Sequence, residues 1–149
     1  MTLWRISNHA VLDGGGGLRA AARWHTRGRR VVYCAPNPAT ALLEVMVHLE
    51  IDLEDVPASL RYLEIEAPDS ISREMLDVGG LGRSWRTDIT ATRQAGDEWL
   101  RSGRTALLEV TSVIVPATFN VLINPRHRDS ARIRIARVRE QEFDPRLLG

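Results

Sequence analysis

One short segment constrains the fold of this chain more than any other. It is "ATALLEVMVHLE" (39–50), which follows Asn37-Pro38, a pair typical of a helix start. Apolar residues lie almost all round the helical wheel of the predicted helix, which runs to about Leu49: Ala41, Leu42, Leu43, Val45, Met46, Val47 and Leu49. A helix of this kind is predicted to be buried on most faces, yet Glu44 lies in its middle.

Glu44 therefore needs a partner, because a lone buried carboxylate is very costly. Two interpretations follow from the residues alone. Glu44 either forms a structural ion pair with an arginine, or it projects into a cleft, where a carboxylate can take part in chemistry.

Bulk composition limits the classes of protein. The 149 residues suit one domain, 1–149, with 44% hydrophobic and 26% charged residues, and the net charge of +1 argues against a strongly electrostatic nucleic-acid binder. All 20 basic residues are Arg, so lysine chemistry is excluded. Cys34 is the single cysteine, which excludes an internal disulfide and suits a reducing cytoplasm.

The N-terminal stretch "MTLWRISNHA" lacks the apolar run of a signal peptide, and no run reaches membrane-spanning length. We therefore expect a cytoplasmic protein that does not enter a membrane.

Strand patterns dominate the second half of the chain, and helices are few. "TATRQAGDEWLRSG" predicts a second, amphipathic helix that ends at Gly103, whereas "LDGGGGL" (12–18) predicts a flexible loop and 69–88 a mixed segment with a glycine loop. The predicted strands are "LWRI", "RRVVYCA", "SLRYLEIEA", "TALLEVTSVIV", "FNVLINP" and "ARIRIARV". This order predicts an α+β fold with mixed or antiparallel sheets rather than a doubly wound parallel sheet.

Polar residues beside these elements are candidates for a site. Arg23 follows the four glycines, and arginine binds phosphate as a fork. The loop has neither a Walker A ending nor a Rossmann context, so the glycines alone favour a flexible surface loop. Ser112 lies in an apolar strand without a G-x-S-x-G elbow, so its hydroxyl orients a polar group or bonds the backbone. The four histidines show no metal-ligand spacing, and we expect no metal.

Several of these motifs, taken in order, resemble the RES domain family, whose members are toxins of toxin–antitoxin pairs. The resemblance spans nearly the whole chain and rests on four segments: "WRI", "ARWHTRGRRVVYCAPNPATALLEVMVH", "SWRTDITATRQAGDEWLRSGRTALLEVTSVIVP" and "FNVLINPRHRD". The chain departs from the family at Ala21-Ala22, where Gly-Gly is common, at His25, where Asn is common, and at Thr111, where Pro is common.

The resemblance implies a fold like that of ADP-ribosyltransferase toxins and NAD+ as the substrate. It implies that Glu44 stabilises the cation formed when the nicotinamide–ribose bond breaks, that Arg23 and Arg5 bind phosphates, and that Tyr33 stacks on nicotinamide. Ser112 would orient a ribose hydroxyl or hold Glu44, and Asn120 would join the binding site.

The resemblance leaves the reaction's acceptor open. Hydrolysis or phosphorolysis of NAD+ and ADP-ribosylation of a protein are alternatives, as is an inactive module that only binds its antitoxin. The expected partner is an Xre-like helix-turn-helix antitoxin, within a larger complex that is compatible with a homodimer. No direct contact with nucleic acid is expected.

Overall fold

Seven strands and three helices build the protein, as described for residues 1–48 and 57–149 by a computed structural model. The strands are β1 (Thr2–Ile6), β2 (Val32–Cys34), β3 (Ser59–Glu66), β4 (Arg73–Met75), β5 (Leu107–Thr111), β6 (Phe119–Ile123) and β7 (Arg134–Glu142). The helices are α1 (Gly15–Arg19), α2 (Pro38–His48) and α3 (Ile89–Ser102).

The strands form two sheets. The first sheet has the order β1-β3-β7 and is antiparallel, and the second has the order β2-β6-β5-β4, in which only the β4–β5 pair is parallel. The backbones of Trp4 and Ala35 bridge the two sheets. This arrangement confirms the predicted α+β class with mixed and antiparallel sheets.

The two faces of the second sheet serve two cores. Val32, Val121 and Ile123 turn toward the first sheet and pack with Leu3 and Leu63. The opposite face is covered by α3 and by the segment before β2, and its core residues are Trp24, Val31, Trp99, Leu108, Val110 and Leu122. Because side chains alternate along a strand, Tyr33, Ser112 and Asn120 belong to this second face.

The helix starts follow from local capping. The Asn37 side chain accepts a hydrogen bond from the Thr40 amide ahead of α2, and the Asp88 side chain accepts one from the Ala91 amide ahead of α3. Gly103 ends α3 with φ of 62°, a conformation that glycine adopts without strain, as predicted. The predicted end of α2 at Leu49 lies outside the described residues.

Helix α2 is less buried than its apolar wheel predicts, and that prediction is wrong. Among its described residues only Ala41 is fully buried, while Leu43 is 37% exposed and Val47 is 56% exposed. The wheel counts apolar residues around a helix but does not show how many sides have a packing partner. Among the described elements α2 packs mainly on β1, and Leu43 and Val47 stay exposed.

The prediction of a flexible loop at 12–18 is also wrong, because the last three glycines open helix α1. Gly14 precedes the helix with φ of 71°. Gly17 lies against the Arg29 carbonyl, where any Cβ atom would clash. The glycines therefore allow close packing against the segment before β2.

Local boundaries differ from the sequence patterns in other places. Strand β2 has three residues, and β5 ends at Thr111, so Ser112 lies just beyond the strand. The mixed segment 69–88 contains β4 and a short 3-10 turn at Val78–Leu81. No helix among the described residues is long and apolar enough to cross a membrane.

Gly96 offers a sharp test of how α3 packs on the second core. A Cβ atom at Gly96 would overlap the carbonyl oxygen of Trp24, so Gly96→Ala should lower the free energy of unfolding by roughly 3 kcal/mol. Gly16→Ala is the matched control, since no atom lies within 4 Å of its new Cβ, and it should raise stability by about 0.4–1 kcal/mol. Urea denaturation of both variants measures the difference, and equal stabilities would contradict this packing.

Candidate active site

A cleft of about 490 Å³ opens between α2, the segment 21–24 and the ends of the first two strands. Five of the six predicted site residues line it, namely Arg5, Arg23, Tyr33, Glu44 and Asn120. The sixth, Ser112, is buried beside them and contacts Glu44. The structure therefore brings the whole predicted set together.

Glu44 is held from the sheet side. Its Oε1 accepts hydrogen bonds from Ser112 Oγ at 3.1 Å and from Asn120 Nδ2 at 2.8 Å. Its Oε2 makes no hydrogen bond to the described residues and has His48 Nε2 at 3.9 Å, while the side chain is 25% exposed. Among residues 1–48 and 57–149, Glu44 forms no ion pair with an arginine, so the structural ion pair is not what holds it.

Ser112 acts as an anchor for that carboxylate. Its Oγ accepts hydrogen bonds from the Ile114 and Val115 amides at 3.2 and 3.1 Å, and its single proton is donated to Glu44. A hydroxyl has one donor, so the bond to Glu44 leaves none for a ligand. Of the two roles expected for Ser112, the geometry fits the holding of Glu44.

Asn120 lies opposite Val110 in the β5–β6 pair and points to the same face. One of its two Nδ2 donors bonds Glu44, and its buried Oδ1 has no hydrogen-bond partner among the described residues. An unpaired buried acceptor typically costs about 1–3 kcal/mol. The unpaired Oδ1 therefore destabilises the folded protein by this amount, while the Nδ2 of the same side chain bonds the Glu44 carboxylate.

Tyr33 uses its hydroxyl inside the protein. The Oη accepts the Trp24 amide at 3.1 Å and lies 2.7 Å from His25 Nδ1, while His25 Nε2 lies 2.9 Å from the Ala20 carbonyl. Since a carbonyl only accepts, Nε2 carries the proton of the neutral imidazole, and Tyr33 donates to Nδ1. Burial raises the pKa of Tyr33. Only the ring of Tyr33 is then available as a wall of the cleft.

Two arginines frame the cleft. Arg5 on β1 donates to the Tyr33 carbonyl at 3.0 Å, and Arg23 donates to the Arg86 carbonyl at 3.0 Å. Arg86 in turn donates to the carbonyl of Val113, a residue of the cleft wall. Each guanidinium has five donors, so Arg5 and Arg23 keep several for a ligand.

Helix α3 holds the segment that carries Arg23. Thr92 Oγ1 donates to the Arg23 carbonyl at 2.7 Å, and Arg93 Nε donates to the Ala22 carbonyl at 2.9 Å. The buried Asp97 accepts from the amide and the hydroxyl of Thr26 at 3.0 and 2.7 Å. Arg23 is therefore positioned by a rigid helix rather than by a free loop.

Sequence reasoning missed four residues that support the site: His25, Arg86, Thr92 and Asp97. His25, Arg86 and Asp97 lie in the segments "RWH", "SWR" and "GDEW", and Thr92 lies in the first turn of α3; the sequence patterns alone give these residues no physical role. Their roles depend on contacts between residues as far as 71 positions apart, as in the bond from Thr26 to Asp97. The Trp24 and Trp85 rings stack at 6.3 Å beside these contacts.

Cys34 lines the cleft, but its thiol is a weak nucleophile. Burial raises the pKa of its thiol to about 12, and the thiolate is the nucleophilic form of cysteine. No group of three or more His, Cys, Asp or Glu side chains among the described residues is arranged to hold a metal ion. The chemistry available in the cleft is that of a carboxylate, two guanidinium groups and an aromatic wall.

His25 makes the Tyr33 contact sensitive to pH. Burial lowers its pKa from the usual 6.5, so the unfolded chain takes up the proton first as pH falls below about 6.5. Stability should therefore decline as pH falls from about 6.5 toward the lower pKa of the folded state. The slope should be smaller in His25→Asn, as measured by urea unfolding at pH 5.0, 6.0 and 7.5. Identical slopes for both proteins would contradict a buried neutral His25.

Comparison with known proteins agrees with this architecture. The model of the family described as "RES domain" matches residues 2–145. A protein named "Toxin Res" from Pseudomonas putida (strain KT2440) is 46% identical over 97% of this chain and 97% of its own length. A protein named "Prs ADP-ribosylating toxin" from Sphingobium sp. (strain YBL2) is 37% identical over 99% of this chain and 96% of its own.

A solved structure shares the fold. In the crystal structure of the M. tuberculosis MbcT–MbcA toxin–antitoxin complex, the matching chain aligns with a TM-score of 0.72 and 16% identity, over 98% of this chain and 85% of that chain. Together with the family match over residues 2–145, these findings confirm the resemblance drawn from the motifs: the chain belongs to the RES domain family.

Proposed function

We propose that this protein is a toxin that consumes NAD+ by breaking the nicotinamide–ribose bond. The observation that carries the proposal is Glu44, fixed through Oε1 by Ser112 and Asn120 while Oε2 has no hydrogen bond to the described residues. It lies on the wall of a cleft of about 490 Å³, a size typical of small-molecule sites. Its relatives named as toxins support the same assignment.

The proposed reaction is a heterolysis. The bond between ribose C1′ and the nicotinamide nitrogen breaks, its electron pair neutralises the pyridinium ring, and an oxocarbenium-like cation forms on the ribose, as in glycoside cleavage. Water or phosphate then bonds to C1′ and releases a proton. The Oε2 of Glu44 lies beside the cation and accepts a hydrogen bond from the ribose 2′-hydroxyl.

The other cleft residues would orient the substrate. Arg23 and Arg5 present unused N–H donors to the pyrophosphate, for which the planar guanidinium is well shaped. The ring of Tyr33 covers the nicotinamide. Ser112 keeps Glu44 in place, and Asn120 shares that role.

A second candidate function is the transfer of ADP-ribose to a protein. It is favoured by the relative from Sphingobium, whose name describes an ADP-ribosylating toxin. Both functions share the bond-breaking step and differ in the acceptor. NAD+ labelled in its adenylate part separates them: consumption yields free ADP-ribose, or its 1-phosphate when phosphate is present, whereas transfer yields a labelled protein band.

We also propose an antitoxin partner that covers the cleft. The exposed apolar side chains Leu43 and Val47 lie on α2 beside Glu44, and Val47 lines the cleft. A partner that buries Leu43 and Val47 would gain apolar contact, and the same contact would block the entry of substrate into the cleft. The matching structure is that of a toxin–antitoxin complex.

Glu44→Gln tests the catalytic proposal. The change keeps the shape and a hydrogen-bond acceptor but removes the charge. Opposite charges about 4 Å apart attract by roughly 4 kcal/mol at an effective dielectric constant near 20, so kcat for NAD+ loss should fall by about 10²–10³. Glu142→Gln, an exposed carboxylate on β7, should react at the wild-type rate. Wild-type turnover by Glu44→Gln would remove Glu44 from the chemistry.

Arg23→Ala tests substrate binding. The loss of a charge-assisted contact to phosphate should raise the KM for NAD+ by about tenfold, with a smaller effect on kcat. Arg27→Ala is the matched control, because Arg27 is exposed on the same segment and does not line the cleft. Steady-state kinetics of both variants measure KM and kcat for NAD+. An unchanged KM in Arg23→Ala would place Arg23 outside the binding site.

A further inference from the structure

A second depression lies at the other end of the second sheet, away from the cleft. In the β5–β6 pair, Thr111 faces Phe119 near the cleft, and Leu107 faces Ile123 at the opposite end. A groove of about 780 Å³ opens at that far end, between the segment before β2, the end of α3 and the segment after β6. Its lining residues lie within segments that carry the family resemblance, but neither the roles expected from that resemblance nor the proposed reaction gives them a function.

Arginine dominates the walls of this cationic groove, which is defined by its six arginines. They are Arg29, Arg30, Arg101, Arg104, Arg126 and Arg128. No Asp or Glu side chain among the described residues lines it. The protein has nearly as many acidic as basic residues, so this segregation concentrates positive charge that the net charge of +1 conceals.

Two of the six arginines are already paired. Arg29 bonds Asp97 at 3.1 Å, and Arg104 contacts Glu98 at 2.8 Å and Glu74 at 3.3 Å. The other four, Arg30, Arg101, Arg126 and Arg128, have no carboxylate within 4.0 Å in the described part of the chain. They leave a surplus of positive charge around one opening.

Asn124 holds the groove's walls together. Its buried side chain donates from Nδ2 to the Leu100 carbonyl at 3.3 Å and accepts the Arg126 amide at 3.1 Å. The Ser130 hydroxyl donates to the Asn124 carbonyl at 2.6 Å. The segment that carries Arg126 and Arg128 is thus fixed against the end of α3, so little ordering is needed when a ligand binds.

We propose that the cationic groove binds the phosphate backbone of double-stranded nucleic acid without reading its sequence. Arginine forks match phosphate oxygens in geometry and charge. No Phe, Tyr or Trp side chain among the described residues lines the groove, and its one aromatic ring is that of His127, which is only 11% exposed and accepts the Asp129 amide at Nδ1. This lining disfavours single strands, which depend on base stacking. Leu100 is its one large apolar residue, too little for the apolar centre of a protein interface.

The net charge of +1 gave the expectation that the protein is not a strongly electrostatic nucleic-acid binder. The groove revises that expectation, because net charge averages over the whole chain and does not describe one surface. The proposal does not rest on NAD+ chemistry, because the groove and the cleft lie at opposite ends of the β5–β6 pair. Binding of this sequence-independent kind is weak, with a Kd of about 10⁻⁴ to 10⁻⁶ M at physiological salt.

Salt dependence provides the test. The full-length protein is titrated into a fluorescently labelled 20-base-pair DNA duplex, and anisotropy is measured at several salt concentrations. Each phosphate contact adds about 0.9 to the slope of log K against log salt, so four contacts predict a slope of about −3.6. Arg126→Ala/Arg128→Ala should lower its magnitude by about 1.8 and weaken binding at low salt by about tenfold.

Arg134→Ala/Arg137→Ala is the matched control, because it removes two charges on β7 while Glu64 keeps its contact with Arg139. This control should leave the slope unchanged. Both double variants should retain the wild-type rate of NAD+ loss, or the wild-type unfolding curve if the protein proves inactive. That readout distinguishes duplex binding lost through misfolding from duplex binding lost because the groove arginines are removed.

Three results would overturn the proposal. The first is duplex binding in which the wild type and Arg126→Ala/Arg128→Ala have equal slopes of log K against log salt. The second is an equal loss of duplex affinity in both double variants. The third is saturable binding of ATP without duplex binding. This third result would assign the groove to a free nucleotide instead.

Discussion

Two hydrogen bonds to one carboxylate tie helix α2 to the second sheet. Among its described residues α2 fully buries only Ala41, so apolar packing fixes its rotation weakly, and the bonds from Ser112 and Asn120 to Glu44 complete the attachment. Hydrogen bonds to charged groups contribute about 1.5–3 kcal/mol where they are buried, and less here because the carboxylate is partly exposed. Ser112 is itself fixed by two backbone amides. The direction of the carboxylate is thus set by the end of β5, a rigid element, although the helix that carries it is loosely covered.

The opposite wall of the cleft depends on close approach rather than on a single bond. Gly96 lets α3 lie against the Trp24 carbonyl, and at that distance Thr92 and Asp97 reach the backbone of the same segment. A larger residue at position 96 would move the helix away and break these contacts together. Both walls are therefore held against the same face of the second sheet, the Arg23 segment through α3 and Glu44 through Ser112 and Asn120.

Local rules predicted much of the fold. Strand alternation predicts β3 and β7, Gly103 predicts the end of α3, and Asn37-Pro38 predicts the start of α2, because each signal lies within a few residues. Apolar periodicity misjudged α2, since it does not show which face lacks a partner, and the glycines 14–17 were misjudged because their close neighbour, Arg29, lies on another segment. The six site residues predicted from the sequence lie together in the structure, and their roles stay predictions. The resemblance offers Ser112 as one partner of Glu44, whereas no local pattern predicts the bond from Asn120, which lies 76 positions away along the chain.

The walls of the two depressions decide which class of ligand each can hold. The cleft combines aromatic and aliphatic side chains such as Trp4, Ile6 and Val45 with a few aimed polar groups, the composition of a site that encloses a small molecule. The cationic groove has one large apolar residue, Leu100, beside its six arginines, so it offers no apolar enclosure of that kind and relies on charge. Charge acts over about 8–10 Å at physiological salt, whereas apolar contact needs a fitted shape. A long, uniform polyanion can bind through charge without a fitted shape. The phosphate backbone of a duplex is a polyanion of this kind.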